Sequence, residues 1–354
     1  MSRRTTLVVI SACLVLAPFV AAAFLLELPV LVLEPGPSPD VAKRSEIHAP
    51  TYPSEGSMHL TTARVNSPSG STPVEILDGL IDGDKHVVPR SSVYPSGRTD
   101  EQTEGVQVAQ MSQSESEAAT AALNELGLPS IPDGVFVNEV VGDVPAAKRI
   151  HAGDVITAVD GQRVVTLEDL MRALEAHKPG DQVALEVHRE GETKNLKVET
   201  VESSEMKGKA EVGVKVSQSN KAPIEIAIDA EEIGGPSAGL MFALSIYDRL
   251  VPEDLTGGQK IAGTGTIENQ PDKSGKVGEV GAIELKIKGA IKIGAEVFVV
   301  PKGELAAARS AATPGIKVIG VSTLSEAIDQ LKKLNGTTKC EKNCLKRIGF
   351  MPIR

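Results

Sequence analysis

The chain has no tryptophan and only three tyrosines and six phenylalanines in 354 residues, so its cores must be built from Val, Ile, Leu and Ala. It lacks a basic cluster ahead of its last few residues, and its formal net charge is −10. Phosphate backbones require a concentrated positive face, which excludes nucleic acid as the expected partner. Cysteine is scarce: Cys13 lies in an apolar run, Cys340 and Cys344 in a polar tail, and no disulfide framework can be drawn. The pair at 340 and 344 suits a small extracytoplasmic disulfide or half of a metal site, but no second Cys or His pair accompanies it. No metal or cofactor is expected. No histidine follows His188, so a Ser-His-Asp arrangement confined to the C-terminal region is excluded. Nor does a Gly-x-x-x-x-Gly-Lys-Ser/Thr loop occur, which removes the usual grip on ATP phosphates.

What is present is enough chain for two or three domains. Arg3 and Arg4 precede Thr5 to Leu26, which carries no charge. A bilayer is crossed by about 20 apolar residues, and the positive-inside tendency puts the short basic start in the cytoplasm and the rest of the chain outside. Two readings of this run stand. A cleaved leader is suggested by Ala21-Ala22-Ala23. An uncleaved anchor over residues 1–33 is favoured by the length of the run and by apolar residues resuming after Glu27 through Leu33.

Pro35-Gly36-Pro37-Ser38-Pro39 breaks the pattern and opens an expected accessory region, 34–126, with β-like pieces such as Ser57 to Thr62. Ala118, Ala119, Ala121, Ala122, Leu123 and Leu126 recur at helical spacing, with Gly127 placed as a C-cap. From Gly134 the chain alternates, with Val135 and Val137 on one face of a strand, and Asp160-Gly161 predicts a tight turn. Thr166 predicts an N-cap for a helix with Leu167, Leu170, Met171 and Leu174 on one face. These residues resemble a PDZ domain, over 127–203, of the permuted kind attached to bacterial proteases. The resemblance implies capture of an extended peptide by strand addition between a strand and this helix. It also implies a carboxylate-binding loop, for which Leu126-Gly127-Leu128 is the candidate.

Residues 204–335 read as a mixed α/β domain and 336–354 as a polar tail. Val212, Val214 and Val216 with Ile224, Ile226 and Ile228 suggest paired strands; further strands are expected at Ile261–Ile267 and Val297–Val300. Helices are expected at Pro236–Arg249, Glu284–Ile293 and Leu324–Leu334. The sharpest motif is Gly234-Gly235-Pro236-Ser237-Ala238-Gly239. Pro236 fits a first helical position, and Ser237 then sits where unpaired backbone N–H groups can stabilise an oxyanion. Such a serine needs a base, and with no histidine nearby a lysine can serve if burial holds its amine neutral. Lys286, after Val280-Gly281-Ala282-Ile283, opens a helix whose Ile283, Ile287 and Ala290 face inward. Lys288 and Lys292 read as solvated-face charges, Glu231 and Glu232 as a polar edge.

Gly-Pro-Ser-Ala-Gly, Gly263-Thr264-Gly265 and Gly281-Ala282-Ile283-x-x-Lys286 resemble, in that order, the proteolytic domain of Lon proteases. Two residues depart from that pattern: Gly234 where an acidic residue is common and Ala282 where glycine is common. The resemblance implies a Ser-Lys dyad of Ser237 and Lys286, with Thr264, Gly235, Pro236 and Ala238 in support. It further implies a ring-like homo-oligomer. The fold class expected is multidomain: a transmembrane helix, a mixed accessory region, a β-rich α+β PDZ domain and a Lon-type α/β proteolytic domain. The expected function is ATP-independent cleavage of peptides or unfolded proteins outside the cytosol. A catalytically silent PDZ scaffold and a purely self-processing protein are the alternatives.

Overall fold

The structure is a computed structural model describing residues 16–18, 21–95, 100–141, 144–189, 191–203, 206–229, 235–270 and 274–336. In chain order the first strands are β1 (Val30–Pro35), β2 (Ser45–Ile47), β3 (Ser57–Leu60), β4 (Ala63–Val65) and β5 (His86–Pro89). Next come β6 (Ile131–Val140), β7 (Val155–Val159), β8 (Gln162–Arg163), β9 (Gln182–Arg189), β10 (Glu192–Glu199), β11 (Val201–Glu202) and β12 (Ala210–Glu211). The last are β13 (Val214–Lys221), β14 (Ile226–Ile228), β15 (Lys260–Gly263), β16 (Thr266–Asn269), β17 (Gly275–Gly278), β18 (Val297–Pro301) and β19 (Lys317–Val321). The helices are α1 (Pro73–Ile81), α2 (Asp100–Glu125), α3 (Leu167–Leu174), α4 (Gly239–Leu250), α5 (Ile283–Lys292), α6 (Leu305–Ala311) and α7 (Leu324–Leu334).

A four-stranded parallel sheet of order β19-β18-β15-β3 forms the centre of the C-terminal unit. A parallel sheet must be covered on both faces, so its strands read as continuous apolar runs. Every residue of β18 is buried accordingly. Val297 and Val299 point to a core shared with Leu240, Met241 and Leu244 of α4 and with Leu324, Ile328 and Leu331 of α7. Phe298 and Val300 point the other way, to Ile283, Ile287 and Ala290 of α5 and Ala308 of α6. The layers are therefore helix, sheet, helix.

Residues 34–126 are expected as a separate accessory region, yet three of their elements, β2, β3 and α2, join this unit, β2 through its pairing with β14. β3 pairs in parallel with β15, Met58 beside Ile261 and Leu60 beside Gly263, and both side chains enter the α4 core. Helix α2 packs along α4 through Ala118 and Ala121. What remains is a small sheet, β4-β1-β5, with α1 against it. The expected anchor, 1–33, needs correction at its end: Val30 to Leu33 belong to β1, with Leu31 and Val32 fully buried between partners. Apolar residues resume after Glu27 because a strand begins there, and the proline cluster ends that strand rather than a membrane segment. Residues 1–15, 19 and 20 of the expected transmembrane helix lie outside the described residues, and among the described residues no helix is long and apolar enough to cross a membrane.

Between α2 and β13 lies a second sheet of order β10-β9-β7-β6-β13, with β8 on β7. Val135 and Val137 are fully buried, and Asp160 and Gly161 form the two-residue β7–β8 turn with φ of 48° and 78°. Thr166 caps α3 in a reciprocal box with Asp169. Met171, expected on one face with Leu167, Leu170 and Leu174, is exposed, while Leu170 is buried and Leu167 and Leu174 pack against that core. Leu126-Gly127-Leu128 is not a loop at this sheet. Leu128 N–H donates to Leu123 O at 2.8 Å, closing α2, and Leu126 is buried among Leu123, Ile246 and Leu250. The 212–216 and 224–228 segments do not pair with each other. β13, beyond the expected boundary at 203, is antiparallel to β6, and β14 pairs with β2.

Leu60 tests the shared core. Leu60→Ala is expected to lower the unfolding free energy of the α4-containing unit by about 2–5 kcal/mol in a denaturant melt. A wild-type midpoint would mean that β3 belongs to an independent region.

Candidate active site

The turn carrying Ser237 is built by three backbone devices. Gly235 has φ 81° and ψ 163°, a conformation that a side chain would strain. Pro236 then starts a 3-10 turn through Ala238, so the α-helix proper begins at Gly239 instead of at Pro236. Gly239 admits α2 and β16 closely; a Cβ there would stand 2.7 Å from Ser114 Oγ and 3.1 Å from Ile267 N. Ser114 of α2, itself buried, donates to Pro236 O at 3.0 Å and holds the turn from behind. Ser237 is half-buried, and Ala238 beside it is buried.

Thr264 lies where β15 ends, at the carboxyl edge of the parallel sheet, the usual place for a site in such folds. The expected strand Ile261–Ile267 is interrupted here, with Thr264 and Gly265 between β15 and β16. Thr264 N–H donates to Val299 O at 3.0 Å, which fixes the residue to the neighbouring strand. Its hydroxyl donates to Ser237 O at 3.0 Å, and Gly265 N–H donates to the same carbonyl at 2.9 Å. The Lys286 amine in turn donates to Thr264 Oγ1 at 3.2 Å. Three residues far apart in sequence are thus joined in one chain of hydrogen bonds, Lys286 to Thr264 to the Ser237 backbone.

Lys286 stands in the first turn of α5 and is only 5% exposed. Burial pulls its amine down from the ordinary lysine value to about 8, against the opposing pull of Glu304. The helix N-terminus adds to the penalty on a positive charge. Glu304 accepts from Val280 N–H at 3.0 Å and so steadies the loop that leads into α5; burial raises its own carboxyl, with that N–H and Lys286 acting the other way. Ala282, the departure from glycine, has φ 57° and ψ 41° as N-cap of α5. An L-residue in this left-handed region is disfavoured by about 1 kcal/mol, so the departure has a local cost.

Sequence reasoning missed Ser114, Glu304 and the role of Lys288. Ser114 had no motif to mark it, since a polar residue at a helical position reads as solvent-facing until its partner helix is known. Lys288, expected as a solvated charge, reaches the β1–β5 module through Gly83 O and lies 3.1 Å from Asp84. Glu231, Glu232 and Gly234 lie outside the described residues. A second serine has a base within reach: His59 Nδ1 donates to Ser38 O at 2.9 Å and Nε2 lies 3.0 Å from Ser57 Oγ. Ser57 opens β3, however, and its own N–H is committed to Gln259 O at 3.2 Å. Among the described residues no cluster of His, Cys, Asp or Glu could hold a metal ion.

The Lys286 amine has a lower value in the folded chain than in the unfolded chain. Its destabilising effect is therefore fully present below about pH 8 and relieved as pH rises toward 10.5. Lys286→Met is expected to stabilise the protein near neutrality by about 3 kcal/mol, with the gain fading across that window. Thermal melts at several pH values check this; a pH-independent difference would remove the buried amine as its cause.

A PDZ-domain family model matches residues 105–200. The chain is 44% identical over 68 residues to a probable periplasmic serine endoprotease DegP-like of Pseudomonas fulva, covering 19% of this chain and 14% of that protein. It is 31% identical over 137 residues to the serine protease Do-like HtrA of Lactococcus lactis, covering 38% of this chain and 33% of that protein. The chain thus spans between about a seventh and a third of the length of these curated relatives. Among solved structures, the PDZ domain of the SdrC-like protein from Listeria monocytogenes is 28% identical, over 24% of this chain and 87% of that one, with a TM-score of 0.22. A PDZ domain is present in this β-rich, multidomain chain.

Proposed function

We propose that the chain is an ATP-independent serine endopeptidase of Lon-like type, with Ser237 as nucleophile, Lys286 as base and Thr264 positioning both. The observation that carries this reading is the buried Lys286 amine donating to Thr264, whose hydroxyl holds the Ser237 carbonyl. Curated relatives named as serine proteases support the coarser reading of a PDZ-bearing serine protease. The base favoured by the geometry is a lysine rather than a histidine.

In the proposed reaction the neutral Lys286 amine takes the Ser237 hydroxyl proton as Oγ attacks the peptide carbonyl carbon. Gly239 N–H is committed to Pro236 O and Leu240 N–H to Gly265 O. The developing oxyanion is therefore assigned to N–H groups at the start of the turn, those of Ser237 and Ala238. The lysine ammonium then protonates the leaving amine, and water hydrolyses the acyl-enzyme with the amine again as base. Thr264 fixes the height of the amine, while Gly235 and Pro236 fix the turn.

Peptide or unfolded-protein substrates would be gathered by the PDZ domain. β13 is the edge strand of its sheet and lies beside α3, and Gln218 Nε2 ties β13 to Val165 O at 2.9 Å. Strand addition would use the outer edge of β13. The DegP-like relatives are named periplasmic, which supports placing these domains outside the cytosol; Thr5–Leu26 as anchor is proposed from its charge-free apolar length alone. A homo-oligomeric ring remains part of the proposal by resemblance.

Purified protein without ATP is expected to cleave an unfolded protein such as reduced casein, with kcat/KM falling as pH drops through about 8, where Lys286 becomes charged. Ser237→Ala and Lys286→Ala should each lower it by about 10³-fold or more, and Thr264→Val by up to about 10²-fold with Thr264→Ser restoring most of it. Unchanged cleavage by Lys286→Ala would sink the dyad. Turnover of casein by wild type separates this function from self-processing, and absence of both cleavage and labelling by a serine-directed probe would leave a PDZ scaffold.

A further inference from the structure

Helix α1 carries an apolar stripe that the fold does not use. Its inner side is closed by Gly79, packed on Val32 and Val87 of the small sheet. Its outer side presents Val74, Leu77, Leu80 and Ile81, exposed at 37%, 59%, 69% and 76%. On a helix these positions fall within about a third of a turn of one another, so they form one continuous strip rather than scattered residues. The two acidic residues of the helix are both engaged locally. Glu75 accepts from the Thr72 N–H at 2.8 Å in the capping box, and Asp78 is 2.5 Å from Lys85 Nζ.

The stripe stands beside the end of the charge-free N-terminal run. Phe24, Leu25 and Leu26, its last residues, are exposed at 61%, 77% and 53%. Leu28 and Ser71 then exchange backbone hydrogen bonds at 3.0 and 3.2 Å, and Thr72 is the N-cap of α1. Glu27 alone thus separates the apolar run from Leu28, the residue paired beside the α1 N-cap. If Thr5–Leu26 lies in a bilayer, α1 is held within reach of that bilayer's surface.

We infer that the Val74–Leu77–Leu80–Ile81 face of α1 lies in the membrane interface, seating the β4-β1-β5 module on the lipid as a second contact beside the N-terminal run. The occupant is a lipid surface because an amphipathic helix with its charges internally satisfied and its apolar strip beside an apolar chain segment matches an interfacial helix. One consequence concerns the site. α5, which carries Lys286, packs against β1 and is tied through Lys288 to Asp84 just beyond α1. The proteolytic unit would then be oriented on the membrane, not tethered loosely above it. This rests on the membrane placement proposed above, and not on the peptidase activity.

The full chain, with Cys13, Cys340 and Cys344 replaced by serine, is reconstituted in phosphatidylcholine vesicles. Single cysteines carrying an environment-sensitive fluorophore are introduced as Leu77→Cys, Ile81→Cys, Leu14→Cys and Thr193→Cys. Blue-shifted emission and quenching by doxyl-labelled lipid at 77 and 81, with neither at 193, is the expected result. Quenching at 14 but water-like, unquenched emission at 77 and 81 would overturn the inference while leaving the anchor intact. No quenching at 14 would remove the membrane placement and this inference with it. A shift at 77 and 81 that ignores the lipid quencher and grows with protein-to-lipid ratio would assign the face to a second copy and equally overturn it. Circular dichroism confirms that each exposed-site variant is folded.

Discussion

A lysine amine excluded from water is the constraint around which the C-terminal unit is organised. Drawing an amine down to about 8 costs free energy in the folded chain at neutral pH, so the amine stays buried only if its surroundings are rigid. Ile283, Ile287 and Ala290 lock α5 to the sheet, and β1 closes on its other side. Thr264 is the amine's hydrogen-bond partner among the described residues, and it is itself pinned by Val299 O. Loosening any of these contacts would admit water and return the amine toward its ordinary value.

The same constraint explains why the N-terminal segments are part of the unit. Without β3 the parallel sheet would end at β15, leaving an unpaired edge beside the residue that leads into Thr264. Without α2 the Pro236 carbonyl would lose Ser114, and the 3-10 turn under Ser237 would rest on fewer bonds. Both elements act at a distance in sequence and at contact in space.

Much of this was legible from the residues alone, for identifiable reasons. Ser237, Thr264 and Lys286 sit in short glycine-bounded motifs, where local backbone demands and chemistry coincide, and the fold brings all three together. β18, α7 and the β7–β8 turn carried strong local signals and formed where expected, while α4 starts three residues later than expected because a 3-10 turn precedes it. Pairing partners were not legible. The alternation of 212–216 and 224–228 identifies strands but says nothing about which edges they meet, and they meet β6 and β2. Apolar character at 30–33 was likewise real and its cause misread, because a buried strand and the tail of a membrane segment have the same composition over four residues.

The connections of the PDZ domain follow from this pairing. It enters from α2, whose Ser114 holds Pro236, and leaves through β13, from which the chain runs by β14 to the Ser237 turn. Cutting at 127 and 203 would remove β6, the partner of β13, while leaving β13 attached to the C-terminal unit with its apolar Val214 and Val216 uncovered. β13 completes one sheet and leads in sequence to the other unit, so a clean boundary between the two units does not exist in this chain. The outer edge of β13 is thus the free edge of a strand that continues, through β14, toward the Ser237 turn.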